Sequence, residues 1–202
     1  TGSGKIGIAI ADVSGKGIPA SLLMAICQSN LRHLAQNIES PAKVLSELNE
    51  VMLGEMRPEM FVTIIYAVLD MEAGELVLAR GGHELPILVH AASHNGQPRS
   101  EFLESEGMAL GMVPNEIFEQ AVQDFRIPFC QGDILALYTD GVTEAINSDG
   151  VEFGNSRLAD VVRTLRTRES EEMARGILDR IALFSGSVDL SDDVTVVIAK
   201  HL

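Results

Sequence analysis

Between Ile6 and Asp12 the large apolar residues fall on every second position, the period of a β-strand, and the run stops abruptly at a carboxylate. Ser14, Gly15 and Gly17 then make a turn, and Pro19 stands where the first turn of a helix tolerates a missing N–H. Asp12 is therefore expected at the end of a strand. Leu22, Leu23, Ile26, Leu31 and Leu34 mark one helical face running to about Asn37. Ser40 and Pro41 open a second helix with the stripe Val44, Leu45, Leu48 and Met52, and Gly54 is a natural terminator.

From Phe61 to Leu69 the chain is rich in β-branched and aromatic residues, then turns at Glu72–Gly74 into a second run, Leu76 to Ala79, which predicts a hairpin. A short strand at Ile87 to Val89 leads into an exposed turn, Ser93 to Pro98. Gln120 to Ile127 and Ile134 to Thr139 are further strand candidates. A short helix is expected around Leu158 to Leu165, then a stronger one with Glu171 and Glu172 in its first turn, Met173, Ile177 and Ile181 at i, i+4 spacing, and Gly186 at its end. The last element, Val194 to Ala199, reads as a nearly continuous apolar strand buried on both faces.

At 202 residues and 46% apolar content the chain can bury a full core without staples, so one domain is the expectation, and any metal is functional rather than structural. Fifteen Lys and Arg against 29 Asp and Glu give a formal charge of −14, which repels phosphate backbones and anionic leaflets, so neither nucleic acid nor a membrane surface is an expected partner. Cys27 and Cys130 lack any CxxC spacing and read as two buried, reduced thiols of a cytoplasmic protein. Residues 1–30 do not show a charged start followed by an apolar run, and no apolar stretch approaches a membrane span.

Three carboxylates stand at strand ends: Asp12, Asp140 before Gly141, and Asp192 just ahead of the final strand. If the strands after Asp192 and before Asp140 are antiparallel neighbours, those two acids lie at one edge of a sheet. Clustered carboxylates suit Mg²⁺ or Mn²⁺, whereas each acid alone fits a plain strand-to-turn position.

The stretches Ala11-Asp12-Val13-Ser14-Gly15-Lys16-Gly17, Leu137-Tyr138-Thr139-Asp140-Gly141-Val142-Thr143-Glu144-Ala145 and Asp192-Asp193-Val194-Thr195-Val196-Val197 resemble successive signatures of the bacterial SpoIIE/RsbU-like branch of the PPM phosphatases. Phe61-Val62-Thr63, Gly81-Gly82-His83-Glu84-Leu85-Pro86 and Gly107-Met108-Ala109-Leu110-Gly111 extend the resemblance from about Ile6 to Ala199. It departs at Arg80, where many members have Asn, and at Leu85, where many have Pro.

The resemblance implies an α+β fold, a four-layer α-β-β-α sandwich of two mainly antiparallel sheets flanked by helices, with a site for two Mn²⁺ or Mg²⁺ ions. The residue matching Asp12 bridges the ions, Val13 offers its carbonyl, and the residues matching Asp140 and Asp192 hold one of the two ions. It implies metal-assisted hydrolysis of a phosphoserine or phosphothreonine by a water held between the ions, without a phospho-enzyme. The implied substrate is a STAS-type anti-sigma-factor antagonist, with activity switched by an upstream sensor or receiver domain. Members carry a further metal-binding aspartate in a Gly-Asp strand just before the position where this chain begins, so residues 1–202 are expected to be one such domain lacking its first metal-ligand strand.

Asp193 is adjacent to Asp192, but successive strand residues point to opposite faces, so the ligand role is assigned to Asp192. Asp189 reads as a solvated loop acid, with a reserve ligand or a group behind the ligands as the alternative. His83, in a Gly-Gly-His turn, is open to substrate contact, proton donation or a purely structural hydrogen bond. Thr1 to Lys5 is not a P-loop, because Ile6 stands where Ser or Thr belongs. His90 and His94 lie in a turn-rich segment, which argues against a zinc pair. An active phosphatase is the first reading, and a catalytically inactive binding module on the same fold is the alternative.

Overall fold

The computed structural model describes residues 4–57, 59–91 and 99–202. The turn expected at 93–98, His94 with it, lies outside them. In chain order the elements are β1 (Lys5–Val13), α1 (Ile18–Leu34), α2 (Pro41–Glu55), β2 (Val62–Asp70), β3 (Glu75–Gly81), β4 (Ile87–Val89) and β5 (Ser100–Phe102). There follow α3 (Asn115–Ala121), β6 (Phe125–Pro128), β7 (Ile134–Tyr138), α4 (Asp140–Thr143), α5 (Gly154–Leu165), α6 (Ser170–Ser185) and β8 (Val196–Lys200). They form two antiparallel four-stranded sheets, each with its own helices, in two compact units that are interleaved along the chain. The first unit comprises Thr1–His83 and Ser105–Phe129, the second Glu84–Glu104 and Cys130–Leu202.

In the first unit the strand order is β1-β2-β3-β6. β1 and β2 pair over nine positions, from Lys5 opposite Asp70 to Val13 opposite Val62. Val62, Ile64, Tyr66 and Val68, at period two on β2, pack with Leu23, Cys27 and Leu31 of α1 and Val44, Leu45, Leu48 and Met52 of α2. Leu22, expected on the buried stripe, is 61% exposed, because the face that packs runs through positions 23, 27 and 31 at i, i+4 spacing. Ser40 caps α2 by accepting from Lys43 N at 3.1 Å, while the Asp124 carboxylate accepts from Ala42 N at 2.8 Å.

The strand expected from Gln120 to Ile127 is in fact the end of α3 followed by β6. Tertiary contacts override local β-propensity here: Phe118 is buried, and the helix presents Asn115 and Glu119 to Ser46. Beside them Asn49, fully buried on α2, donates to Val113 O at 3.2 Å and accepts from Gly111 N at 2.9 Å.

The second unit has the order β5-β4-β7-β8. Ile87, Val89, Ile134, Ala136 and Tyr138 pack with Leu158 and Val162 of α5 and Met173, Ile177 and Ile181 of α6. Among the described residues β8 pairs only with β7, and it is half-exposed at every position, so the expectation of a strand buried on both faces from Val194 fails. An edge place in the sheet decides that, and hydropathy does not encode it. Cys130 is exposed, also against expectation, because it falls in the turn before β7. Among the described residues no helix is long and apolar enough to cross a membrane.

Asn49→Ala orphans one buried donor and one buried acceptor and is expected to cost about 2–4 kcal/mol in urea unfolding. Burial pushes the Cys27 thiol up to about 11, so at pH 8 a thiol reagent is expected to label Cys130 rapidly and Cys27 only on unfolding. Mass spectrometry of the labelled protein checks this.

Candidate active site

Asp12 and Val13 end β1 in the first unit. The ladder with β2 does not stop at Val13 and Val62: Ser14 N donates to Phe61 O at 3.0 Å and Phe61 N donates to Ser14 Oγ at 2.8 Å. Ser14 thereby holds the turn after Asp12 against the start of β2. Asp12 is half-buried, and its Oδ1 accepts from Val13 N at 2.8 Å. Directly opposite it on β2 stands Thr63, whose hydroxyl lies 2.9 Å from Nδ1 of the buried His83.

Asp140 and Asp192 belong to the second unit. β7 and β8 are antiparallel neighbours, as the placement of these acids requires, with Tyr138 opposite Val196. Asp140 is the first residue of α4, and Asp192 and Asp193 lie in the bend before β8. Neither is in a strand, so strand alternation does not separate them. What distinguishes Asp192 is local geometry. Its Oδ1 accepts from Asp193 N at 2.8 Å, as Asp140 Oδ1 accepts from Gly141 N at 2.8 Å and Asp12 from Val13 N. Asp189 is exposed, as expected of a loop acid.

Thr139 binds the two segments of this edge together. Buried to 6% exposure, it donates its hydroxyl to Asp193 O at 3.0 Å and accepts from Thr195 N at 3.0 Å, while its own N donates to Thr195 O at 3.1 Å. Gly141 completes the junction, because a Cβ there would lie 2.5 Å from Asp193 O and 3.3 Å from Asp192 O. The α4 backbone can approach the bend that closely only without a side chain. Tyr138, one residue earlier, donates to Asn155 Oδ1 at 2.9 Å, and burial, with the Glu84 charge, pushes its phenol well above the usual range. Sequence reasoning missed Ser14, Thr139 and Gly141 as builders of the site, although all three sit inside the motif stretches.

Among the described residues no group of three or more His, Cys, Asp or Glu side chains stands ready to hold a metal ion. The donors do fit hard divalent ions in kind: an aspartate and the adjoining Val13 carbonyl at the end of β1, and two aspartates on backbone segments in contact at the edge of the second sheet.

Two antiparallel sheets with these helices are the fold of PP2C phosphatase domains. The SiaA-PP2C domain of Pseudomonas aeruginosa superposes with a TM-score of 0.80 at 20% identity, covering 99% of this chain and 76% of that one. The catalytic domain of the serine/threonine protein phosphatase PstP, solved with two manganese ions, gives 0.66 at 15% identity, covering 96% and 86%. The family model for Stage II sporulation protein E (SpoIIE) matches residues 2–202. Phosphoserine phosphatase RsbU of Bacillus subtilis (strain 168) is 30% identical over 198 residues, which is 97% of this chain and 56% of RsbU. The chain belongs to the SpoIIE family, in the SpoIIE/RsbU-like branch of the PPM protein serine/threonine phosphatases.

Gly141→Ala is expected to push the Asp192–Asp193 bend away from α4 and to cost roughly 1–3 kcal/mol. Denaturant unfolding measures the cost, and amide chemical-shift changes concentrated at residues 139–142 and 191–195 locate it.

Proposed function

We propose that this chain is a metal-dependent phosphatase that hydrolyses phosphoserine or phosphothreonine on a regulatory protein. Asp12, the Val13 carbonyl, Asp140 and Asp192 are its ligands for Mn²⁺ or Mg²⁺, two ions in the complete domain. The observation that carries this reading is that the carboxylate at each of the three motif positions accepts the N–H of the next residue at 2.8 Å. That bond occupies one oxygen's lone pair and fixes the carboxylate plane, so the group is oriented before any ligand arrives. When bound, the ions supply positive charge for the phosphoryl oxygens and acidify water to a nucleophile at neutral pH. The chain's own work is to hold the carboxylates: Ser14 fixes the turn behind Asp12, and Thr139 and Gly141 fix Asp140 beside Asp192.

Likeness to phosphoserine phosphatase RsbU supports a phosphoserine substrate. A STAS-type anti-sigma-factor antagonist is the particular form this proposal gives it. The matched segment is 56% of RsbU, and the proposal includes control by a sensor or receiver domain in the full-length cytoplasmic protein. The charge of −14 supports a protein partner over nucleic acid. The second reading is a catalytically inactive binding module on the same fold.

Chelation separates the two. Hydrolysis of a phosphoserine peptide by the full-length protein is expected to need Mn²⁺ or Mg²⁺ and to stop in EDTA, and full activity in the chelator rules the metal reading out. Asp140→Asn and Asp192→Asn are each expected to lower kcat/KM on the order of a hundredfold, and Asp189→Asn to change it little. Equal losses in all three would show the ligand assignment to be wrong.

A further inference from the structure

His83 is an unusual residue to bury. It is 4% exposed, in a turn between β3 and β4, and the surrounding backbone is built to hold it in one place. Arg80 Nη1 donates to the His83 carbonyl at 2.9 Å, and Arg80 Nε donates to Ser105 O at 2.8 Å, so one guanidinium ties the turn to the segment ahead of Gly107. Gly107 itself must be glycine, because a Cβ there would collide with the Arg80 carbonyl. The Arg80 fork spans two carbonyls that a short amide side chain could not reach together.

The residue His83 meets is fixed just as firmly. Thr63 lies between two anchored neighbours on β2, with Val62 exchanging both backbone hydrogen bonds with Leu110 at 3.1 and 2.8 Å and Ile64 bridging to Gly82. On its other side Thr63 is paired with Asp12 in the β1–β2 ladder. Residues directly opposite in an antiparallel pair project to the same face with their Cβ atoms about 4.5–5.5 Å apart, within the span of a hydroxyl-to-carboxylate hydrogen bond. His83, Thr63 and Asp12 are therefore consecutive members of one line of side chains.

The hydrogen-bond inventory sets the direction. A threonine hydroxyl has one proton, and if it is given to an imidazole nitrogen, none is left for a carboxylate, which only accepts. If Nδ1–H of the histidine donates instead, the threonine proton is released for the neighbouring acid. We propose that His83 is a positioning residue for Asp12: its Nδ1–H donates to Thr63 Oγ1 and so directs the Thr63 hydroxyl proton onto the Asp12 carboxylate. This rests on Asp12 being a metal ligand, as proposed above, and gives the Gly-Gly-His turn a role that needs no contact with substrate. Residues that orient a ligand from behind are commonly worth ten- to a hundredfold in metal affinity.

The test uses the full-length protein and Mn²⁺ alone, followed by electron paramagnetic resonance, with thermal melting of the metal-free protein beside it. Thr63→Val keeps the β-branched shape and removes the hydroxyl, and His83→Leu removes the donor. Each is expected to weaken Mn²⁺ binding by about 10–100-fold. Thr63→Ser, which retains the hydroxyl, is expected to stay close to the unsubstituted protein. Long-range nitrogen–proton correlation spectra of the unsubstituted protein are expected to show His83 protonated at Nδ1, a readout independent of metal and of whether His83→Leu folds. Undiminished Mn²⁺ affinity in Thr63→Val, equal losses in Thr63→Ser and Thr63→Val, or a bare Nδ1 overturns the proposal. Mn²⁺ binding that survives Asp12→Asn instead overturns the ligand role of Asp12, and the positioning role falls with it.

Discussion

The register of β1 on β2 is the constraint on which the candidate chemistry of the first unit depends. Side chains alternate across a strand, so a slip of one residue would turn Asp12 to the opposite face and put Val13 in its place. Several independent features prevent that slip. Nine consecutive pairs join the strands, and β2 is buried at nearly every position, so any other register would break both a ladder and a core. At the open end Ser14 and Phe61 exchange hydrogen bonds that fix where the ladder ends. The acid is thus delivered to the sheet edge by interactions none of which involves its own carboxylate.

The second unit solves the same problem with less ladder. β7 and β8 share only five pairs, and the acids lie beyond them, one on a single-turn helix and one in a bend. Here a buried hydroxyl replaces register: Thr139 must satisfy its donor and its acceptor inside the protein, and the partners within reach belong to the 193–195 segment. The absence of a side chain at Gly141 then sets how near the two backbones come. In a chain of net charge −14, bringing acids together is opposed by repulsion, and the backbone N–H that each candidate ligand accepts offsets part of that cost.

Much of this was legible along the chain. The hairpin from β2 to β3, the capped start of α2, and the acidic first turn and glycine end of α6 follow from period, turn chemistry and helix capping, whereas the antiparallel pairing of β7 with β8 entered only as a condition that the structure meets. The errors have one cause. Residues 120–127 carry an extended pattern but their first part is helical, because Asn115 and Glu119 serve the buried Ser46 69 and 73 positions earlier in the chain. Val196 to Lys200 looks like a central strand but has one neighbour among the described residues, and Cys130 looks like a strand residue but lies in a turn.

By itself the sequence determined the family, most of the strands though not the three-residue β5, and the identity of the three candidate carboxylates, because these depend on residue type and short-range spacing. Tertiary structure alone decided which strand ends at an edge and that Thr139, Thr63 and His83 stand behind the acids. Those facts depend on hydrogen bonds between residues 20 or 54 positions apart, and no local pattern records which donor will meet which acceptor once the chain has closed on itself.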